Sequence, residues 1–184
     1  GSHYLLNKIY IQSLTNNTNG ITVKWAEIPG ATSYRIYRRG AGQTTWTYLA
    51  SVTGLTYTDT AVKNNSGSYY RYTVKAVVNG AFTDYNPDGP YTMRLSTPTL
   101  KSAMEVENGI QVNWNAVKGA GGYQVYRKTA DTTWVLVDTV SGTTYVDKTA
   151  LPGVEYTYTI RAYKGSYRSS YIPAGVSACI AVVE

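Results

Sequence analysis

The fold of this chain is decided by residues 110–127, which read IQVNWNAVKGAGGYQVYR. Two runs of alternating apolar and polar residues flank a Gly-rich turn, a pattern typical of two β-strands joined by a turn. An earlier copy at residues 21–38 reads ITVKWAEIPGATSYRIYR. The chain of 184 residues therefore carries two copies of one β-structured unit.

The two copies can be aligned along nearly the whole chain. Trp25 matches Trp114 at an offset of 89 residues, and Tyr70 matches Tyr156 at an offset of 86. The offset changes only in two intervals rich in Gly, Asn, Ser or Lys, which we interpret as surface loops because loops tolerate insertions. Seven short strands per copy, with no helical period, predict an all-β protein built as two consecutive immunoglobulin-like β-sandwiches.

The domain boundaries follow from the repeat. We place the first domain at residues 4–95 and the second at residues 96–184, and we interpret residues 1–3 as the remnant of an expression tag. Ser96-Thr97-Pro98-Thr99 joins the copies and is too short for a flexible tether, while Pro98 stiffens it. These residues predict a short rod with limited bending.

Six aromatic residues are predicted to form the structural cores. The alternation of apolar and polar residues turns each of them inward; they are Trp25, Tyr34 and Tyr70 in the first copy and Trp114, Tyr123 and Tyr156 in the second. Cys179 is the one cysteine of the chain and so has no partner for an internal disulfide. We interpret it as a small buried apolar residue.

Composition favours a moderately basic surface. The net charge is +6, but Lys and Arg are scattered rather than clustered, so we expect no nucleic-acid partner. We interpret Arg38-Arg39 and Arg127-Lys128 as solvated strand ends. No apolar run approaches the ~18 residues that would span a bilayer, so we expect no membrane insertion.

Catalytic residues are scarce. The only His lies in the tag-like start, which leaves no imidazole for a nucleophilic triad. Asp59 and Asp147 occupy equivalent positions in different copies and cannot form a paired-carboxylate site, so we interpret them as acceptors for loop backbone amides. No zinc-type ligand set is present. We therefore expect no catalysis, no metal and no cofactor.

One string resembles a calcium-binding loop. Residues 84–89 read DYNPDG, with oxygen ligands at the first, third and fifth positions and Gly at the sixth. The twelfth position would be Leu95, where the motif needs Glu, and the same stretch of the second copy has no acids. We interpret the string as part of a bulged closing strand.

Four aromatic residues are candidates for ligand binding. Trp46 and Trp134 are expected to begin the fourth strand of each copy, and Tyr37 and Tyr126 lean outward on the preceding strand. Such side chains stack on sugars and anchor protein partners. The alternative interpretation is that each Trp covers the edge of its own core beneath a Lys or Arg stem.

Each copy resembles a fibronectin type III domain. The likeness rests on the Trp that closes the second strand, the Tyr of the third strand, and the sixth-strand runs SGSYYRYTVKA and LPGVEYTYTIRA. In that family, a Pro-Gly step followed by such a Tyr forms a tyrosine corner, which the resemblance carries to Tyr70 and Tyr156. The first copy lacks the Pro and keeps only Gly67.

Individual stretches of the sequence are similar to tandem modules of secreted or wall-attached proteins of Gram-positive bacteria, where such modules act as spacers or accessory elements. The resemblance implies an extracellular or cell-wall-associated, monomeric spacer whose partners are other domains of the same polypeptide. The alternative is an adhesion module that binds a polysaccharide or a surface protein.

Overall fold

Short runs of alternating apolar and polar residues form the strands of the computed structural model, which describes residues 8–183. The interpretation of residues 1–3 as a tag remnant lies outside this range. The chain forms two compact units, of which one ends at Arg94 and the next begins at Leu95.

The first module is a β-sandwich. One sheet has the strand order β1-β2-β5; the other has the order β4-β3-β6-β7, and β8 also pairs with β6. β7 and β8 act as two halves of one interrupted strand, which gives seven strands. Their bounds are β1 (Ile11–Asn17), β2 (Gly20–Trp25), β3 (Ala31–Gly40), β4 (Thr47–Val52), β5 (Thr56–Asp59), β6 (Tyr69–Val78), β7 (Ala81–Phe82) and β8 (Tyr91–Met93), with a 3-10 turn at Thr60–Val62.

The second module repeats this topology. Its sheets have the orders β13-β10-β9 and β12-β11-β14-β15, and β16 pairs with β14. The bounds are β9 (Leu100–Val106), β10 (Gly109–Trp114), β11 (Gly122–Lys128), β12 (Val135–Val140), β13 (Thr144–Asp147), β14 (Glu155–Lys164), β15 (Tyr167–Arg168) and β16 (Val176–Cys179). The predicted fold class, two seven-stranded β-sandwiches joined by a short segment, is confirmed.

A Trp–Tyr pair lies at the centre of each core. Trp25 and Trp114 are completely buried, and Tyr34 and Tyr123 are 3% and 4% exposed. The rings of Trp25 and Tyr34 lie 5.7 Å apart at a tilt of 55°, and those of Trp114 and Tyr123 lie 5.5 Å apart at 64°. Tilted pairs of this kind add to the free energy gained by burying the rings.

The hydroxyl groups of these two tyrosines hold the turn that precedes their own strand. The backbone N–H of Ile28 donates to the Tyr34 hydroxyl at 3.1 Å, and that of Val117 donates to the Tyr123 hydroxyl at 2.8 Å. A buried phenol needs a polar partner. The same bond in both modules fixes the entry into β3 and β11.

The corner tyrosines differ between the modules. Tyr156 is 6% exposed, and its hydroxyl accepts from the backbone N–H of Leu151 at 3.4 Å. Tyr70 is only half-buried, so its prediction as a core residue is correct only in part. Its hydroxyl accepts from the side-chain amide of Asn65 at 2.9 Å, and the guanidinium of Arg38 lies over its ring. Where the first copy lacks Pro, a side chain supplies the bond.

Cys179 is exposed, so the prediction that it is buried is wrong. The reason is strand alternation in β16, where Val176 and Ala178 are the less exposed residues while Ser177 and Cys179 face out. The small size of these side chains gave no indication of this register.

A buried arginine ties the first module together. The Arg94 side chain is 1% exposed. It donates to the backbone carbonyls of Asn17 at 2.8 Å, Gly20 at 2.9 Å and Lys63 at 2.9 Å. The β1–β2 hairpin and the segment after the 3-10 turn are thereby held to the residue that follows β8.

The closing strand of each sandwich is interrupted. In the first module Asn79 and Gly80, with φ angles of 51° and 77°, make the two-residue turn that the sequence predicts before β7. The chain then leaves the sheet and returns at β8. A Cβ atom at Gly89 would overlap the carbonyl oxygen of Tyr72, so glycine is required where the chain crosses back over β6.

Candidate binding grooves and buried ion pairs

Each module has a surface groove, and the pairing between two strands determines which residues form its floor. β3 and β6 bring Tyr37 opposite Thr73, and β11 and β14 bring Tyr126 opposite Thr159. These positions alternate with core residues, so they lie on the outer face of the sheet. Thr73 and Thr159 are nevertheless buried, because side chains from neighbouring loops cover them.

The first groove is walled by two aromatic rings. Trp46 immediately precedes β4, and Tyr85 belongs to the loop between β7 and β8. Their ring centroids lie 6.3 Å apart at 82°. Together with Tyr37, Thr73 and Lys75 they line a cavity of about 190 Å³.

The second groove is built in the same way. Trp134 precedes β12, and its ring lies 6.2 Å from that of Tyr171 at 71°. These two residues, with Tyr126, Thr159 and Arg161, line a cavity of about 140 Å³. The structure therefore brings each predicted Trp together with the Tyr predicted beside it.

Tyr85 and Tyr171 were missed at the sequence level. They come from DYNPDG at residues 84–89 and SYIPAG at residues 170–175, which align at an offset of 86. Each Tyr stands two residues before a Pro in both copies. That shared Tyr was the available signal, whereas the comparison with a calcium-binding loop rests on the acidic residues of the first string alone.

Basic side chains cover part of each wall. The Arg39 guanidinium lies 4.8 Å from the centre of the Trp46 ring, and the Lys128 ammonium lies 4.9 Å from that of Trp134. Both Trp side chains are half-buried. This geometry agrees with the alternative in which a basic stem covers the Trp, and it leaves part of each ring open to solvent.

Asp59 is the centre of a buried network in the first module. It is 1% exposed and accepts two hydrogen bonds from Arg38 Nη1, at 3.0 and 2.8 Å. The Tyr72 hydroxyl donates at 2.9 Å, and the backbone N–H of Ala61 donates at 3.2 Å. The predicted role as a loop acceptor is therefore only one part of what Asp59 does.

Asp147 occupies the same place in the second module. Arg127 donates to it at 2.6 Å, Tyr158 at 2.8 Å and the backbone N–H of Thr149 at 2.9 Å. Burial works against ionisation of Asp147, but the hydrogen bonds from Thr149, Arg127 and Tyr158 outweigh it and lower the pKa. Burial, and then the bond to Asp147, raise the pKa of Tyr158 far above its ordinary range.

These networks correct the interpretation of Arg38 and Arg127 as solvated strand ends. Both guanidinium groups reach across the core to a carboxylate carried by the opposite sheet. A buried carboxylate needs such a partner, because an unpaired charge in the interior is costly. The network of each module therefore uses the acid, the phenol and the arginine to join the two sheets.

The loop at residues 84–89, which resembles a calcium-binding loop in sequence, is held by hydrogen bonds within itself. The Asn86 side chain accepts from the backbone N–H of Asp88 at 3.0 Å, and the Asn86 carbonyl accepts from that of Gly89 at 3.2 Å. Within residues 8–183, no cluster of three or more His, Cys, Asp or Glu side chains is placed to hold a metal ion. No helix in that range is long and apolar enough to cross a bilayer.

Comparison with known proteins supports the fold of the two modules. No family model matches the sequence. The chain is 27% identical over 168 residues to human fibronectin type III domain-containing protein 7. This alignment covers 91% of the chain and 22% of the human protein. The chain is also 29% identical over 161 residues to chitinase A1 of Niallia circulans. This alignment covers 78% of the chain and 21% of the chitinase.

One more curated relative and one solved structure also match the chain. The mouse fibronectin type III domain-containing protein 7 is 30% identical over 115 residues, covering 62% of the chain and 15% of that protein. Among solved structures, the FN1–FN3 domains of chicken CNTN1 align with a TM-score of 0.44 at 15% identity, covering 95% of this chain and 68% of that one. The chain spans about a fifth or less of the length of these curated relatives.

The two modules are fibronectin type III-like β-sandwiches. The chain is similar to proteins named for fibronectin type III domains, and this likeness supports the same fold for both modules.

Proposed function

We propose that this chain is a spacer segment of a longer extracellular or wall-attached bacterial protein, and that it separates domains carried by the same polypeptide. The observation that carries the proposal is the duplicated Arg–Asp–Tyr network. In each module it uses the buried ionisable groups to join one sheet to the other. The match to a bacterial chitinase supports the bacterial setting.

A spacer must limit the relative motion of its two modules, and this can be measured. Cys179 and a cysteine introduced at the exposed Thr53 provide one spin-label site in each module. We expect electron–electron distance measurements to give one narrow distribution, because a four-residue joining segment with Pro98 has few accessible conformations. A broad, multi-peaked distribution would contradict the spacer role.

A matched control sharpens the result. Pro98→Gly keeps the length of the joining segment and removes its stiffest residue, so the distance distribution should widen. If the original chain and the Pro98→Gly variant give equally broad distributions, the segment is a flexible tether and the modules serve some other purpose.

A second function is favoured by the paired grooves. The same wall of one Trp and one Tyr, over a floor of Tyr and Thr, is formed in both modules. Aromatic rings of this kind bind sugars or anchor a surface protein. In this alternative, Trp46→Ala and Trp134→Ala each weaken binding on a glycan or surface-protein array, and the double variant abolishes it. No binding across a broad panel would count against adhesion and leave the spacer role intact.

A further inference from the structure

In the first module, β3 and β6 form two cross-strand pairs in which both residues are positively charged. The strand register places Arg35 opposite Lys75 and Arg39 opposite Arg71, on either side of Tyr37 and Thr73. Directly opposed side chains lie about 5 Å apart at Cβ, and like charges in that position destabilise a sheet. We call Arg35, Arg39, Arg71 and Lys75 the basic face.

Within the described part of the chain, residues 8–183, no acidic side chain forms a salt bridge with the basic face. Each of the four basic groups lies against an aromatic ring instead. The distances to the ring centres are 4.4 Å for Arg35 and Phe82, 4.8 Å for Arg39 and Trp46, 5.0 Å for Arg71 and Tyr91, and 4.7 Å for Lys75 and Tyr85.

The second module serves as an internal comparison. The equivalent cross-strand pairs are Gln124 opposite Arg161 and Lys128 opposite Thr157, so each contains a single charge. Residues 1–94 carry nine Lys and Arg against four Asp and Glu, and residues 95–184 carry eight against seven. The same fold can therefore be built without opposed charges, and the like-charge pairs are a feature of the first module alone.

The arrangement of the basic face suits an extended polyanion. Arg35 and Arg39 are four residues apart on one strand, a span of about 13 Å, while the face is only two strands wide. Hydrogen bonds to the backbone also position two of the cations, Arg39 and Arg71. Arg71, for example, donates to the carbonyl of Gly89 at 2.7 Å while it lies over the Tyr91 ring.

The aromatic rings indicate which polyanion fits. Proteins that bind single-stranded nucleic acid stack bases on open aromatic faces. Here a basic group already lies over one face of each ring, which leaves fewer open faces on which bases could stack. We propose that the basic face binds an anionic polysaccharide, a sugar polymer bearing sulfate or carboxylate groups, through charge complementarity.

Binding of the full chain to dextran sulfate, with uncharged dextran as the comparison, tests this proposal. We expect binding to dextran sulfate alone, weakening steeply as salt is added, because exposed charges are screened. Equal binding to both polymers would overturn the proposal. Tighter binding to a single-stranded oligonucleotide of matched charge would overturn it in favour of a nucleic-acid partner.

The second module supplies the substitutions. Arg35→Gln with Arg71→Thr installs the residues found at the equivalent positions and leaves one charge in each pair. We expect at least a tenfold loss of affinity for dextran sulfate, measured at a temperature where circular dichroism shows the variant to be fully folded, because Arg71→Thr also removes the hydrogen bond to the Gly89 carbonyl. Lys101→Gln with Lys148→Gln removes the same charge from exposed sites of the second module. An equal loss in that control would show that net charge, not the basic face, binds the polymer.

Discussion

Tyr158 donates a hydrogen bond of 2.8 Å to Asp147 in the core of the second module, where both side chains are completely inaccessible to solvent. Tyr72 and Asp59 repeat the bond in the first module at 2.9 Å. Each bond joins a phenol on a ten-residue strand of one sheet to a carboxylate on an edge strand of the other. Because the pKa values of Tyr72, Tyr158 and Asp147 are shifted by this environment, the link between the two sheets of each module is sensitive to pH.

Acidification should weaken the second module through Asp147. The pKa of this carboxyl is lower in the folded protein than in the unfolded chain, so its contribution is complete above the unfolded value of about 4 and is lost as pH falls through the folded value. At neutral pH, Asp147→Asn should reduce the free energy of unfolding by about 2–3 kcal/mol. Denaturant titrations at a series of pH values should show the difference from the original chain shrinking below about pH 4.

The control for this prediction is Asp131→Asn, which neutralises an exposed carboxylate in a polar turn. It should change stability by less than about 0.5 kcal/mol at any pH. A pH-independent effect of Asp147→Asn would show that the carboxylate contributes through shape and not through charge.

Alkaline pH should also lower the stability of both modules, in this case through Tyr72 and Tyr158. Burial raises the pKa of both phenols above their unfolded value of about 10, so the stability that they contribute is present below that value and is lost as pH rises through the folded value. Tyrosinate absorbance should therefore show a late step that coincides with loss of the circular dichroism signal. Ionisation of every tyrosine in one step, with the fold intact, would contradict this.

Substitution separates these two phenols from the other tyrosines. The Tyr72→Phe and Tyr158→Phe double variant should lose part of the late step. It should also be less stable at neutral pH, by about 1–2 kcal/mol for each lost hydroxyl, because each buried carboxylate loses a donor.

Loss of the buried arginine should loosen the first module. Arg94→Met keeps much of the side-chain volume but leaves three backbone carbonyls without their donor, at an expected total cost of about 2–4 kcal/mol. Hydrogen exchange should accelerate in the β1–β2 hairpin. Lys101→Met, at an exposed position of the second module, should leave the exchange pattern unchanged. Unaltered exchange in the hairpin of Arg94→Met would contradict the proposed role.

Two glycines offer a matched test of the wall of the second groove. Gly165 and Gly175 have φ angles of 56° and 65°, so alanine at either position is strained by about 1 kcal/mol. A Cβ at Gly165 meets open space, whereas one at Gly175 would come within 2.6 Å of the Tyr158 carbonyl oxygen and 3.2 Å of the Trp134 ring. Gly175→Ala should cost about 1–3 kcal/mol more and shift the fluorescence of Trp134. Equal costs would show that the loop moves aside freely.

Much of the fold follows from local pattern. A repeated unit with period-two alternation determines which side chains face inward, so Trp25 and Trp114 could be assigned to the core from sequence. Part of the lining of each groove could also be predicted from the sequence. Tyr37 lies on β3 and Trp46 immediately precedes the adjacent β4, and the two were predicted together, whereas Tyr85 reaches the groove from a loop whose path depends on the whole sandwich.

The buried ion pairs and the basic face required the register between strands. Arg38 and Asp59 are 21 residues apart and lie in different sheets, and a sequence shows neither sheet assignment nor cross-strand offset directly. Likewise, Arg39 and Arg71 look like scattered charges until β3 and β6 are aligned. Scattered charge in the sequence therefore became clustered charge in the fold, and the expectation of an unclustered basic surface does not hold for this sheet.

The interrupted closing strand has a consequence for folding. A chain with two similar sandwiches can exchange equivalent strands while it folds, and free sheet edges make such mispairing easier. β7 and β15 are two residues long, and the chain then leaves the sheet around Pro87 and Pro173 before pairing again. A strand from the other copy would find only short fragments of unpaired backbone there. At this edge of each sandwich, the break therefore leaves little unpaired backbone for mispairing with a strand of the other copy.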